Sequence, residues 1–244
     1  MKNWKNSIVL ALMMGLTLLN GTLSAQNWGW NGIKGEGPKV TKTLEVADFT
    51  GFTIGVGGDV YLKQGSKQSV TIEAQQNIID NILTNVENKE WKIKFEKSVR
   101  NHDGIKIYIT IPTLTKAYVS GSGDIKGETK FTGLENLVVG ISGSGDVSME
   151  VEAKAIESKI SGSGNIRLSG SADSNNINIS GSGDILAENL NTKKCTVRVS
   201  GSGDCKVSAD ETLDVQVSGS GDVYYKGSPK VKAKVSGSGN VESI

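Results

Sequence analysis

A five-residue segment, Ser-Gly-Ser-Gly followed by Asp or Asn, recurs seven times in this chain, and no other feature limits the fold as strongly. The copies are Ser120–Asp124, Ser142–Asp146, Ser161–Asn165, Ser180–Asp184, Ser200–Asp204, Ser218–Asp222 and Ser236–Asn240. Successive starting serines stand 22, 19, 19, 20, 18 and 18 residues apart. That period is too short for a propeller blade, which takes about 40 to 50 residues, and the consensus is not that of a leucine-rich repeat.

The residues beside each copy set its secondary structure. Val119, Ile141, Ile160, Ile179, Val199, Val217 and Val235 precede the first serine, and Ile125, Val147, Ile166, Ile185, Cys205, Val223 and Val241 follow the Asp or Asn. Around them the pattern has period two, as in Lys194-Cys195-Thr196-Val197-Arg198-Val199. That is a strand with one buried face. Each repeat therefore reads as a strand, a Ser-Gly corner, a second strand and a looser polar return. One such unit cannot bury its apolar face alone, but stacked units can. The expected fold class is all-β: a right-handed parallel β-helix, or solenoid, with one coil per repeat.

The organisation predicted along the chain has four parts. Residues 1–25 read as a secretory signal peptide: Lys2 and Lys5, an apolar run from Ile8 to Leu19, then Leu23-Ser24-Ala25 as a small-residue cleavage site. The run falls short of the roughly 20 apolar residues of a membrane span. Residues 26–43, with Trp28 and Trp30, read as a flexible lead-in. Residues 44–244 form the solenoid domain, with 44–119 as irregular N-terminal coils or a cap and 120–244 as the repeats. In the irregular part, Phe52–Leu62, Ser69–Glu73, Trp91–Phe95 and Ile105–Ile111 are expected strands. Ile78, Ile79, Ile82 and Leu83 fit one face of a short helix, and Gly55–Asp59 is a degenerate forerunner of the repeated motif.

Composition narrows the function. Losing Lys2 and Lys5 with the leader takes the formal net charge from +1 to −1. A chain this close to neutral, without a basic cluster, is not expected to bind nucleic acid, whose recognition rests on neutralising phosphates. The single histidine, His102, falls in an expected loop and cannot supply a catalytic triad or a histidine-rich metal site. No phosphate-binding loop, dinucleotide fingerprint or zinc spacing occurs. Cys195 and Cys205 admit two readings in a chain bound for an oxidising compartment. They either form a disulfide across one coil or fill two inward apolar slots.

Stacking would set Asp124, Asp146, Asn165, Asp184, Asp204, Asp222 and Asn240 in one column at about 4.8 Å. Two carboxylates that close repel by about 1 kcal/mol in water, and several-fold more at a lower effective dielectric. The relief expected is structural, with hydrogen bonds from the corner serines and backbone N–H groups, as in Asx turns. A bound Ca²⁺ is the alternative, but calcium-binding rolls carry G-G-x-G-x-D every nine residues, about twice as densely as here. No cofactor is therefore expected.

The phrase Phe52-Thr-Ile-Gly-Val-Gly-Gly-Asp-Val-Tyr-Leu-Lys63, the later Ile107-Tyr-Ile-Thr-Ile-Pro112 and the repeated motif resemble one bacterial family. It is the "putative auto-transporter adhesin, head GIN domain" family, a domain of unknown function in secreted proteins of Bacteroidetes. The resemblance spans roughly residues 45–244. It implies a right-handed β-helix and an exported protein, and it transfers no catalytic or ligand residues. The function expected is a non-enzymatic exported binding module, periplasmic or at the cell surface, whose repetitive polar faces contact a glycan or a protein. Two alternatives stand beside it. A polysaccharide-active enzyme rests on fold analogy, and glycoside hydrolysis needs two carboxylates at a set separation in a groove, which a regular corner ladder does not provide. A structural or assembly protein would form homo-oligomers end to end through a last coil that stops at Ile244 without an evident cap.

Overall fold

The computed structural model describes residues 32–244, so the signal-peptide reading of residues 1–25 and the two tryptophans of the lead-in lie outside the described residues. The chain is a parallel β-solenoid in which the apolar neighbours of the repeated motif stack rung upon rung. One ladder runs Ile93, Ile54, Val119, Ile141, Ile160, Ile179, Val199, Val217, Val235. On the other side of each corner a second runs Ile107, Val60, Ile125, Val147, Ile166, Ile185, Cys205, Val223, Val241. All these side chains are buried except Val235 and Val241 in the last coil. Every coil therefore contributes to one continuous core and touches only its neighbours.

The coils are more regular than the sequence suggested. In place of a loose polar return, extended chain continues almost without break through Val147–Gly162, Ile166–Gly181, Ile185–Gly201 and Cys205–Gly219. Neighbouring coils stay in register over most of this length, from Val147↔Ile166 to Gly162↔Gly181. Backbone pairing along the whole coil satisfies the polar main chain that a loop would leave to water.

The corners explain the glycines. From Gly143 onward, the first glycine of each motif has φ between +135° and +151°. A Cβ built at Gly201 falls against the carbonyl oxygen of Gly181 in the coil below, and one at Gly203 falls against that of Gly183. The main chains of adjacent corners are thus too close for any side chain. Ser202, between the two glycines, donates its backbone N–H to Gly181 O at 2.9 Å and leaves its side chain exposed.

The N-terminal part is a cap with an unexpected order. The stretch read as one strand, Phe52–Leu62, is two strands, Gly51–Ile54 and Asp59–Gln64, bent at Gly55–Gly58. Its flanks pair with those of the first full motif, Ile54↔Val119 and Val60↔Ile125, so the forerunner is a true corner. The coil of Glu90–Ile93 and Lys106–Ile111 lies outside this one, although it comes later in sequence. Ser69–Gln75 then closes the open end antiparallel to Lys106–Ile111, and Lys39–Thr43 adds antiparallel to it. The latter strand corrects the expectation of a flexible lead-in for residues 32–43. Its Lys39 and Lys42 reach Glu73 and Asp80 at 3.1 and 2.8 Å. The helix is a single turn, Gln76–Ile79, that buries Ile78 and Ile79, while Ile82 pairs with Phe95.

Cys195 and Cys205 are free and buried. Cys205 stands in the second apolar ladder, and Cys195 stands between Asn175 and Leu213. Burial pushes the Cys195 thiol up to about 12 and that of Cys205 well above its usual value. Both therefore behave as small apolar side chains rather than nucleophiles.

Gly201→Ala is expected to destabilise the fold by about 1–3 kcal/mol, the range for forcing a residue into such a backbone region. Ser202→Ala, one position on, should change stability by less than about 0.5 kcal/mol. Urea-denaturation midpoints of the two variants test the contrast, and equal midpoints would refute it.

Candidate functional site

The acidic column of the corners forms in register, but its partners differ from those expected. Asp124 Oδ1 accepts the backbone N–H of Asp146 at 2.8 Å, and Asp146 Oδ1 accepts that of Asn165 at 2.9 Å. Asp184 does the same for Asp204, Asp204 for Asp222, and Asp222 for Asn240, at 2.7–2.8 Å. The carbonyl of each upper residue accepts in return from the lower coil, as where Val147 N–H donates to Asn165 O at 2.9 Å. The serine hydroxyls take no part. The ladder is an inter-coil clasp, and each carboxylate's repulsion on its neighbour is offset by a charge-assisted bond to that neighbour's own N–H. Asn165 strengthens the clasp by donating Nδ2–H to Asp146 Oδ1 at 2.9 Å. Two of the remaining oxygens find local partners: Asp146 Oδ2 lies 3.7 Å from Arg167 Nη1, and Tyr224 Oη donates to Asp222 Oδ2 at 3.3 Å. The negative charge of Asp222 raises the Tyr224 phenol above its ordinary value. Among the described residues no three His, Cys, Asp or Glu side chains cluster as a metal site.

His102 stays local, its Nδ1 accepting the backbone N–H of Gly104 at 3.1 Å. The fold uses the glycines, the acids and the apolar flanks of every motif. Both serine columns remain exposed along the corner edge, from Ser120 and Ser122 to Ser236 and Ser238.

Beside the first serine column runs an open groove of about 640 Å³. Its floor is the outward-facing position two residues before each motif. The pairing Lys159↔Asn178↔Arg198↔Gln216↔Lys234 sets these side chains in one row along the stack. Tyr118 closes the groove at its N-terminal end, lying against Gly140, where any Cβ would meet the ring. This row was missed in the sequence, although its signal is plain once the motifs are aligned, because every member sits at the same offset from a starting serine.

The opposite side of the coils shows how this chain handles stacked charge elsewhere. There Lys154 meets Glu135 at 2.8 Å and Lys193 meets Asp173 at 2.8 Å, each pair bridging two coils. Hydrogen bonding to Lys193 holds the Asp173 carboxyl below its usual range, and Glu135 and Asp173 raise Lys154 and Lys193 respectively. The signs alternate, so that face neutralises itself. In the groove Lys159 has Glu157 at 2.7 Å, whereas Arg198 and Lys234 stand in no ion pair among the described residues. Arg198 Nη1 reaches only Asn176 Oδ1, at 3.4 Å.

Comparison with known proteins adds the following. Residues 48–229 match the family model "Putative auto-transporter adhesin, head GIN domain". The chain is similar to the crystal structure of a "putative adhesin" from Bacteroides fragilis at 29% identity and a TM-score of 0.82, covering 87% of this chain and 100% of that one. It is similar to a "putative adhesin" from Parabacteroides distasonis at 26% identity and a TM-score of 0.65, with 87% and 100% covered. A "putative lipid binding protein" from the same organism, at 24% identity, a TM-score of 0.72 and 87% and 99% coverage, shares the fold. No curated protein matches this sequence.

Three outcomes test the electrostatics. Asp204→Ala leaves the N–H of Asp222 without its acceptor and should cost about 1–3 kcal/mol, while millimolar Ca²⁺ should leave the wild-type Tm unchanged. A calcium-dependent rise in Tm would reassign the clasp as a cation site. Asp173, held low in the folded state, adds stability above its ordinary pKa and loses that contribution as pH falls through the lower folded value. In an NMR titration Lys193→Met should raise the Asp173 midpoint back toward the ordinary aspartate range.

Proposed function

The chain belongs to the "Putative auto-transporter adhesin, head GIN domain" family, and from that premise we propose that it is an exported, non-enzymatic binding module that adheres through its polar groove. The observation that carries this reading is the groove itself. It runs along the stack, its outward row comes from strands, and Asn178, Arg198, Gln216 and Lys234 of that row are polar groups outside the ion pairs of the fold. Sites on such elements are held in place without the ordering cost a mobile loop would incur on binding. Export is supported by the leader-like segment at residues 1–25. Among the described residues no helix is long and apolar enough to cross a membrane.

A non-enzymatic role is supported by the lining of the groove. It holds amides, serines and cations, not the pair of carboxylates that glycoside hydrolysis requires. The acids of the corners are engaged in the clasp, where their oxygens hold up the fold.

The purified chain should show saturable, reversible binding on a panel of glycans and extracellular-matrix proteins, with no shortening of any polysaccharide it binds. Binding to no member of the panel would count against adhesion. Depolymerisation of a bound glycan would replace this reading with the enzymatic one.

A further inference from the structure

We propose that the groove takes an anionic polysaccharide carrying one carboxylate on every second sugar. This inference rests on the reading of the chain as a binding module and specifies its ligand. The row alternates cation and amide from coil to coil: Lys159, Asn178, Arg198, Gln216, Lys234. Neighbouring coils lie about 4.8 Å apart, so the cations recur every 9–10 Å along the axis. A disaccharide unit of an extended glycan advances by about the same length. Arg198 and Lys234, the two cations without an acid of their own, then each meet one carboxylate, and each amide meets the hydroxyls or acetamido group of the intervening neutral sugar.

The spacing discriminates against other anionic polymers. An extended peptide with acids on alternate residues repeats about every 6.7 Å, and stacked nucleotides of one strand carry a phosphate about every 3.4 Å. A polyuronate with an acid on every sugar would place half its carboxylates against Asn178 and Gln216. Amides can hydrogen-bond such a charge but cannot neutralise it.

The incomplete neutralisation of the row, in which Arg198 and Lys234 stand in no ion pair among the described residues, points the same way. On the other side of the coils Lys154 and Lys193 each meet an acid from an adjacent coil. Two residues before row members Lys159 and Gln216, on the same strands, stand Glu157 and Asp214. They are occupied by Lys159 at 2.7 Å and by Lys232 at 3.9 Å. Arg198 and Lys234 are left to an outside anion, and Arg198 offers a planar fork suited to a carboxylate. The exposed first-serine column, which includes Ser180, Ser200 and Ser218, borders the row and supplies a hydroxyl on every coil.

The test uses the purified chain with oligosaccharides of hyaluronan and of unsulfated chondroitin, which alternate a uronate with a neutral N-acetyl sugar. Polygalacturonate, with an acid on every sugar, and neutral dextran serve as comparisons. At least one alternating polymer should bind more tightly than polygalacturonate, and dextran should bind weakly or not at all. Affinity should fall as salt rises, because exposed charges are screened. Arg198→Gln should weaken binding about tenfold. The decisive variant is Asn178→Lys with Arg198→Asn, which conserves net charge but breaks the two-coil spacing. It should lose as much as Arg198→Gln while keeping the wild-type Tm. Failure of both alternating polymers to bind overturns the proposal, as does wild-type affinity in the double variant or equal binding of polygalacturonate. Binding of a neutral glycan or a matrix protein in their place leaves the binding module standing and removes only this ligand.

Discussion

The whole molecule depends on how closely one corner's backbone can approach the next. From Gly143 onward, the glycines of the motif bring main chain against main chain at a distance that excludes even a methyl group, and that contact fixes the vertical step of the stack. Once the step is fixed, a carboxylate on one coil has its neighbour's N–H within reach, and the clasp follows. The apolar ladders on both sides of the corner follow as well, because Ile160 can lie over Ile141 only if the corners between them coincide. Hydrophobic burial supplies most of the stability in such an architecture, but the corner decides which residues meet.

The repeats were legible because their constraints are local. Val or Ile on both sides of every motif but one, where Cys205 follows, with period two around it, specifies a strand and its inward face without knowledge of any distant residue. The cap was less legible, because its contacts join segments far apart in sequence. Nothing near Glu90–Ile93 indicates that this strand passes outside Gly51–Ile54. Nor does Lys39–Thr43, with its lysines and threonines, announce its partner in Ser69–Gln75. The acidic column was found by stacking, yet its donor was misassigned. An Asx turn is a rule about neighbours in sequence, and the real donor lies one coil away.

The groove row belongs to a third category. Its residues differ in type at every rung, so a search for repetition passes over them. What repeats is an offset and an alternation, visible only when the coils are aligned in register. A varied column on an otherwise uniform scaffold is where a repeat protein can carry information, since the invariant glycines and the apolar flanks are already committed to the fold. The last coil shows a related economy. Lys230, Lys232 and Lys234 stand on an exposed edge strand, so a second copy presenting the same strand would set lysines against lysines, a recognised way of keeping such edges from pairing.

The reversed order of coils in the cap bears on how the chain acquires its structure. Gly51–Ile54 is flanked on one side by Glu90–Ile93 and on the other by Lys116–Val119, both of which emerge later from the ribosome or a translocation pore. For a chain that appears N-terminus first, this strand cannot complete its pairing until its second partner, Lys116–Val119, has also arrived. The repeats, by contrast, can be laid down one after another on whatever coil precedes them. The cap thus sets a threshold and the repeats a queue, so a chain interrupted before residue 111 lacks the full platform on which winding begins, whereas one interrupted among the repeats stops as a shorter stack.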